Sequence, residues 1–431
     1  MELYYSFSVL IVLASVFAYL NLRYLKLPST IGIMLMAIFV SLIIRFAGNQ
    51  IFPETTTKIF TLISEMDFTE LLMGSMLNFL LFAGAIHVNI ADLKKQRLPV
   101  ITFSTISVVI STFTIAGILY YLVPFFNLEL PFLYCLLFGA LISPTDPIAV
   151  LGILKKANVS KSLETKITGE SLFNDGIAVV LFAVILQLTY SGVSEISLPT
   201  IAWLLAKEAI GGLLLGLVLG YIASRAIKKI DDYIVSALIT LSVVMGGYLI
   251  AHEIHISGPL TMVAAGLFIG NYSRRKQTMS TLTRDYLSKF WELIDEILNA
   301  ILFLFLGFAL LLIPDFKTYW LISAIAILIV LFSRFISIWI PALIVPFNPK
   351  LSQGSLTMLV WGALRGGVSI ALVMSIPYSA YKELLLEMTY FVVVFSIVVQ
   401  GLTVGAVSQR VLRKPYKTKQ PDSQLQQTSI N

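Results

Sequence analysis

The chain of 431 residues is poor in charge, cysteine and histidine. Only 13% of its residues are charged, about half the share found in soluble globular proteins. This scarcity excludes a soluble domain, a disordered chain and a nucleic-acid binder. The single cysteine, Cys135, excludes a disulfide framework and a multi-cysteine metal site. Three histidines leave little for a histidine-based metal centre.

Apolar residues, by contrast, make up 58% of the chain and lie in long runs. A helix that crosses a bilayer needs roughly 20 predominantly apolar residues. The runs that meet this need are numbered here as segments 1 to 13, at 4–22, 28–47, 70–90, 99–123, 131–153, 168–190, 199–224, 233–251, 256–272, 291–313, 318–347, 354–378 and 384–409. Segment 1 lacks the basic region and cleavage site of a signal peptide. The sequence therefore predicts an all-α polytopic membrane protein with about thirteen transmembrane helices.

The loops between the segments differ in charge. When they are assigned alternately to two sides, 23 of the 30 Lys and Arg residues lie on one side and 5 on the other, while Arg334 and Arg365 lie inside segments. Cytoplasmic loops are enriched in these residues. We therefore predict the N-terminus outside and the C-terminus in the cytoplasm, with residues 1–413 as one transmembrane unit and 414–431 as a short polar tail.

Segments 5 and 12 are the most interrupted, by the stretches 143–147 (SPTDP) and 362–367 (GALRGG). They are offset by seven, and an odd offset makes corresponding helices run in opposite directions. Many transporters are built from such inverted repeats, with broken helices at corresponding positions. The sequence therefore predicts an inverted repeat.

Ionisable residues deep in a membrane are costly and usually functional. Those predicted here are Asp146, Glu170, Asp175, Arg334 and Arg365. Pro144 and Pro147 have no N–H, so the carbonyls of Ala140 and Ser143 lose their helical partners. A small hard cation binds such carbonyl and carboxylate oxygens.

Asp146 and Asp175 are predicted to reach the same depth. At 1.5 Å per residue, each lies about 10 Å from the cytoplasmic end of its segment. Ser171 shares a helix face with Asp175, because residues four apart are neighbours on a helix. This face offers oxygens to a cation.

Glu170 and Asn174 share the neighbouring face of segment 6. The Glu170 carboxylate needs a cationic partner, for which Arg365 is the expected residue. Arg334 is expected to have a supporting role, paired with a core acid or with freed carbonyls.

Three acids, Glu292, Asp295 and Glu296, open segment 10. Two interpretations remain open. The acids attract cations to a cytoplasmic funnel, or they stabilise a helix N-terminus.

Three stretches together resemble the monovalent cation:proton antiporters of the NhaP/NHE branch: 145–147 (TDP), 169–176 (GESLFNDG) and 361–369 (WGALRGGVS). The resemblance implies a homodimer of thirteen-helix subunits. Each subunit would have dimerisation helices and a core of segments 4–6 and 11–13, about 99–190 and 318–409. It also implies an ion site where broken segments 5 and 12 cross. We therefore expect a transporter without a cofactor, not an enzyme, in a prokaryotic inner membrane.

The resemblance also implies residue roles. The residues that it assigns to the cation are Asp175, Ser171, the backbone of Thr145, and Asp146, directly or through water. It gives Asn174 a supporting hydrogen bond and pairs Glu170 with Arg365. One departure concerns Ala83, which stands where some relatives carry a glutamate that joins the site. A water or one fewer ligand must substitute.

Asn174 also bears on stoichiometry, because related electrogenic antiporters have a second aspartate there. A neutral amide favours one cation per proton, with cation and proton competing for Asp175 and Asp146. We expect Na⁺ or Li⁺ as the cation, and K⁺ is the alternative.

A cation channel is a rival class, although no repeated carbonyl filter such as TVGYG is present. An intramembrane aspartyl protease is another, and its Gly-x-Gly-Asp stretch is absent.

Overall fold

The structure, a computed structural model, describes residues 2–48, 76–147, 150–152, 154, 159–191, 198–276, 280–313, 316–347 and 351–412. The predicted tail 414–431 and the beginning of segment 3 lie outside the described residues. Each of the thirteen segments contains helix in its described part, and segments 5 and 12 are interrupted within it. The α-helices that form them, in chain order, are Glu2–Leu20, Ser29–Ile43, Leu77–His87, Arg97–Ile101 with Ser107–Leu122, Phe132–Ile142, Lys161–Ser191, Leu198–Ile230, Tyr233–Glu253, Gly258–Lys276, Thr281–Phe308, Phe316–Ile344, Gln353–Trp361 with Gly367–Ser375, and Lys382–Phe395 with Gly401–Leu412.

The predicted all-α membrane architecture is confirmed. Within the described part of the chain, nine helices are long and apolar enough to cross a membrane. They belong to segments 1, 2, 4, 6, 7, 8, 10, 11 and 13. Segment 5 has a shorter apolar helix because it is broken, and segment 12 is divided into two helices of nine residues each.

Capping side chains, rather than hydropathy, determine where some helices begin. Ser280 accepts a hydrogen bond from the N–H of Thr283 at 3.2 Å, which satisfies one of the free donors at a helix start. Segment 10 therefore begins at Thr281, well before the predicted residue 291. The hydropathy pattern detected only the apolar part of an amphipathic helix.

The core consists of two buried apolar clusters. The first draws mainly on segments 1, 2, 4–6 and 10–13, and the second mainly on segments 3, 7, 8 and 9. Segment 10 contributes to both, with Trp291 in the second cluster and Phe303 and Phe305 in the first. The indole N–H of Trp291 donates to the hydroxyl of Thr240 at 3.0 Å. Segment 10 therefore lies between the two clusters.

The two broken segments cross, as expected. The helix of segment 5 ends at Ile142. In segment 12 the first helix ends at Trp361 and the second begins at Gly367. The N–H of Asp146 donates to the carbonyl of Leu364 at 2.8 Å, which makes a single antiparallel bridge between the two interruptions. Unwound backbone is tolerated at membrane depth only where it is buried in protein or lines a cavity. The crossing meets that condition.

Candidate ion-binding site

Hydrogen bonds join the interruption of segment 5 to segment 6. The Asn174 amide donates to the Thr145 hydroxyl at 2.7 Å, and the Thr145 N–H donates to the Asn174 oxygen at 3.5 Å. The Ser171 hydroxyl donates to the Thr145 carbonyl. All three residues are buried. The break therefore lies at the level of residues 171–174, which agrees with the predicted meeting of the two segments.

Asp175 follows Ser171 by one helical turn and is half-buried. No ion pair or hydrogen bond engages its carboxylate among the described residues. Asp146 is also half-buried, and the two carboxylates are near enough to repel each other. Two acids in such an environment are stabilised when a cation or a proton reduces their charge.

Gly366 provides space for the Asp146 carboxylate. A Cβ on Gly366 would lie 2.7 Å from Oδ2 of Asp146, so any larger residue would displace this carboxylate. Gly366 also precedes the helix that begins at Gly367. The partial positive charge of a helix N-terminus favours a carboxylate at this position.

We expect Gly366→Ala to reduce cation-driven proton movement in proteoliposomes by at least about tenfold, because the new methyl group occupies the place of the Asp146 carboxylate. Gly152→Ala in segment 5 is the matched control, since a Cβ there would have no neighbour within 4 Å. Both variants should be folded by size-exclusion chromatography. Equal activity of the two variants would contradict this placement of Asp146.

The expected partner of Glu170 requires correction. Glu170 is ion-paired with Arg334 at 2.6 Å rather than with Arg365. Arg365 lies within electrostatic range of Glu170, but its guanidinium donates to the carbonyls of Ser143 and Pro144 at 2.6 and 2.9 Å. The crossing of the two breaks brings Arg365 to these carbonyls, whereas Arg334 reaches Glu170 from the intact helix of segment 11.

Arginines bind backbone carbonyls at both breaks. As predicted, the Ser143 carbonyl is free of a helical partner, but it binds Arg365. The Ala140 carbonyl, predicted to be free, accepts instead from the Ser143 N–H at 3.3 Å. The predicted supporting contacts of Arg334 are both present, because this residue also donates to the Leu359 carbonyl at 2.7 Å. The half-helices that end at Ile142 and Trp361 therefore each have a guanidinium near their C-terminus, where positive charge is favourable.

A cavity lies beside the crossing of the two broken segments. Its polar lining comprises Thr145, Asp146, Glu170, Ser171 and Arg334. The cavity thus gives access to the oxygens of the break and of segment 6. Ala83 is fully buried in segment 3 and offers no ligating side chain, as its sequence position predicted.

Sequence analysis missed two supporting residues in segment 13. The N–H of Arg365 donates to the Ser396 hydroxyl at 2.9 Å, and this hydroxyl donates to the Gln400 side chain at 2.8 Å. Gln400 in turn donates to the Trp361 carbonyl at 3.2 Å. The two polar residues stand four apart in an apolar segment, and this spacing was the available signal.

The acids of segment 10 do not open its helix. Because the helix begins at Thr281, Glu292, Asp295 and Glu296 lie several turns beyond the N-terminus. The helix-terminus interpretation is therefore wrong, since that effect fades within the first turn. The funnel interpretation remains a prediction.

A family model described as "Sodium/hydrogen exchanger, transmembrane" matches residues 11–410 of this chain. The chain belongs to the sodium/hydrogen exchanger family. The chain resembles the Na⁺/H⁺ antiporter NhaP of Pseudomonas aeruginosa, with 46% identity over 409 residues, covering 93% of this chain and 95% of that relative. It also resembles the Na⁺/H⁺ antiporter NhaH of Halobacillus dabanensis, with 35% identity over 396 residues, covering 90% and 93%.

A solved structure shares the fold of this exchanger-family chain. It is the sodium proton antiporter MjNhaP1 from Methanocaldococcus jannaschii at pH 8, with a TM-score of 0.75 and 22% identity. The match covers 96% of this chain and 100% of that structure. These relatives are named as transporters, and the described helices are those of an integral membrane protein. The predictions of a membrane transporter and of a non-enzyme are confirmed.

Proposed function

We propose that this chain is a secondary antiporter that exchanges Na⁺ for H⁺, and that Li⁺ replaces Na⁺. The observation that carries the proposal is the convergence of oxygens from Thr145, Ser171 and Asp146 at the crossing of the broken segments. Asp175, without a partner among the described residues, adds a carboxylate one turn away. The printed names of the relatives support the choice of Na⁺ and H⁺.

Exchange follows from competition at this site. A cation needs the charged carboxylates of Asp175 and Asp146, whereas a proton removes that charge. Only a neutralised site crosses the apolar barrier readily, because an uncompensated charge in the membrane is costly. Each crossing therefore carries either a cation or a proton, and this couples the two fluxes.

The moving parts in this proposal are a core and a scaffold. The core comprises segments 4–6 and 11–13, about 99–190 and 318–409, and moves against the scaffold so that the site opens to alternate sides. The second apolar cluster, formed mainly by segments 3, 7, 8 and 9, supports a separate scaffold. We propose that two such subunits form a homodimer in the inner membrane, with the N-terminus outside and the C-terminus in the cytoplasm.

The proposed function can be tested by reconstitution. Proteoliposomes with an imposed pH gradient should lose it on addition of Na⁺ or Li⁺. K⁺ in place of Na⁺ tests the alternative of a K⁺/H⁺ antiporter. A channel would instead carry cation current without coupled proton movement, so a current that is independent of pH would contradict antiport.

We expect the exchange to be electroneutral. Asn174 is neutral and bound to Thr145, so one monovalent cation replaces one proton at the site. Membrane potential supplies about 2.3 kcal/mol per elementary charge per 100 mV, and no net charge moves in this cycle. The initial rate of Na⁺-driven alkalinisation should therefore be independent of voltage imposed with K⁺ and valinomycin.

Because K⁺ and valinomycin set the voltage, a control must show that the protein does not itself exchange K⁺. Net flux should vanish where the Na⁺ and H⁺ gradients are equal, whatever the voltage. A null point that moves with voltage would mean that Asp146 also releases a proton during the cycle.

A further inference from the structure

Asp295 on segment 10 is more buried than the two acidic residues near it. Glu292 and Glu296 are exposed, whereas Asp295 is half-buried. The side chain of Asn299, one helical turn further, hydrogen-bonds to the Asp295 carboxylate. Asp295 and Asn299 therefore form a polar pair on the buried side of the helix.

The side-chain oxygen of Asn299 is buried without a hydrogen-bond donor among the described residues. The residue is 1% exposed, and its Oδ1 has no hydrogen-bond partner in the described part of the chain. A buried acceptor without a hydrogen-bond partner destabilises the folded protein. Asn299 and Asp295 stand four residues apart on this helix, so their side chains are neighbours. A carbonyl-type oxygen next to a carboxylate is the donor set of a hard cation.

This pair is adjacent to the crossing of the broken segments. Asp295 lies within electrostatic range of Asp146. The Asp146 carboxylate rests on Gly366, and a Cβ on the next residue, Gly367, would lie 2.4 Å from the Leu302 side chain. Leu302 follows Asn299 by three residues, on the same side of the helix. The pair is thus about one turn of segment 10 from the Gly366–Gly367 step.

We propose that Asp295 and Asn299 form a second monovalent-cation site on segment 10, from which the cation passes to Asp146. This inference rests on the proposed antiport. A cation between Asp295 and Asp146 would offset the repulsion between their carboxylates and bind the free oxygen of Asn299.

Transport kinetics provide the first test. Asp295→Asn and Asn299→Leu should each raise the apparent KM for Na⁺ about tenfold, which corresponds to about 1.4 kcal/mol, with a maximal rate within about twofold of wild type. Asn299→Asp keeps an oxygen and should retain the wild-type KM or lower it. Glu292→Gln and Glu296→Gln remove the same charge at exposed positions and are the matched controls. An equal KM increase in these controls would mean a general field effect and would overturn the site.

Equilibrium binding provides a test that does not depend on transport. A ligand that binds the folded state raises its melting temperature. In an Asp175→Asn background, NaCl should still raise the melting temperature relative to choline chloride, and adding Asp295→Asn should abolish that increase. If wild type fails to exchange but this pattern holds, the proposed antiport is wrong and the second site stands. If exchange is intact but the Asp295→Asn substitution changes neither KM nor Na⁺ stabilisation, the second site is wrong.

Discussion

Asp175→Asn is expected to reduce Na⁺-driven proton movement to the level of protein-free liposomes. An amide can neither release a proton nor balance the charge of a cation, so both halves of the proposed exchange are lost. The Asp175 carboxylate has no partner in the described structure, so the substitution breaks no ion pair there. The variant should therefore fold and still fail to transport.

Asp285→Asn is the matched control, because it makes the same chemical change at an exposed aspartate near the beginning of segment 10. Its exchange rate should equal that of wild type. Both variants should elute as folded protein before reconstitution. Cation-driven proton flux through folded Asp175→Asn protein would remove Asp175 from the proposed mechanism.

The second large effect concerns stability. Glu170 and Arg334 form a buried ion pair at 2.6 Å, with side chains 3% and 6% exposed. Removing one partner of such a pair typically costs about 3–5 kcal/mol, because the other charge remains buried without compensation. Arg334→Met and Glu170→Gln should therefore lower the melting temperature in detergent more than Asp146→Asn does.

The combined variant Glu170→Met/Arg334→Met should recover part of this loss, because it leaves no unpaired charge. Recovery should be incomplete, since the Leu359 carbonyl still loses its donor. Arg284→Met is the matched control at an exposed arginine. If Arg334→Met melts like this control, the ion pair contributes nothing to stability.

Much of the architecture was already predictable from local sequence. Length and hydropathy determine whether a helix can cross a membrane, so thirteen segments were found without knowledge of their contacts. Proline and glycine act on their own backbone, so the stretches 143–147 and 362–367 marked both breaks. The motif around Ser171, Asn174 and Asp175 marked the face of segment 6 that meets Thr145.

The sequence did not determine which charges pair. Glu170 had two candidate partners in the membrane, and local spacing cannot rank residues from distant segments. The tertiary structure decided for Arg334, because the crossing of segments 5 and 12 brings Arg365 to the carbonyls of Ser143 and Pro144. Ion pairing depends on distances in space, which only packing determines.

Segment 10 shows the same division. Its apolar run predicted a membrane helix, but the helix begins ten residues earlier, after the Ser280 cap. Its three acids therefore lie within the helix and not at its N-terminus. Sequence alone determined that this chain is a membrane protein with two broken helices and a few intramembrane charges, because these properties are local. The tertiary structure alone decided which oxygens meet at the crossing and which arginine neutralises Glu170, because these contacts join residues from separate segments.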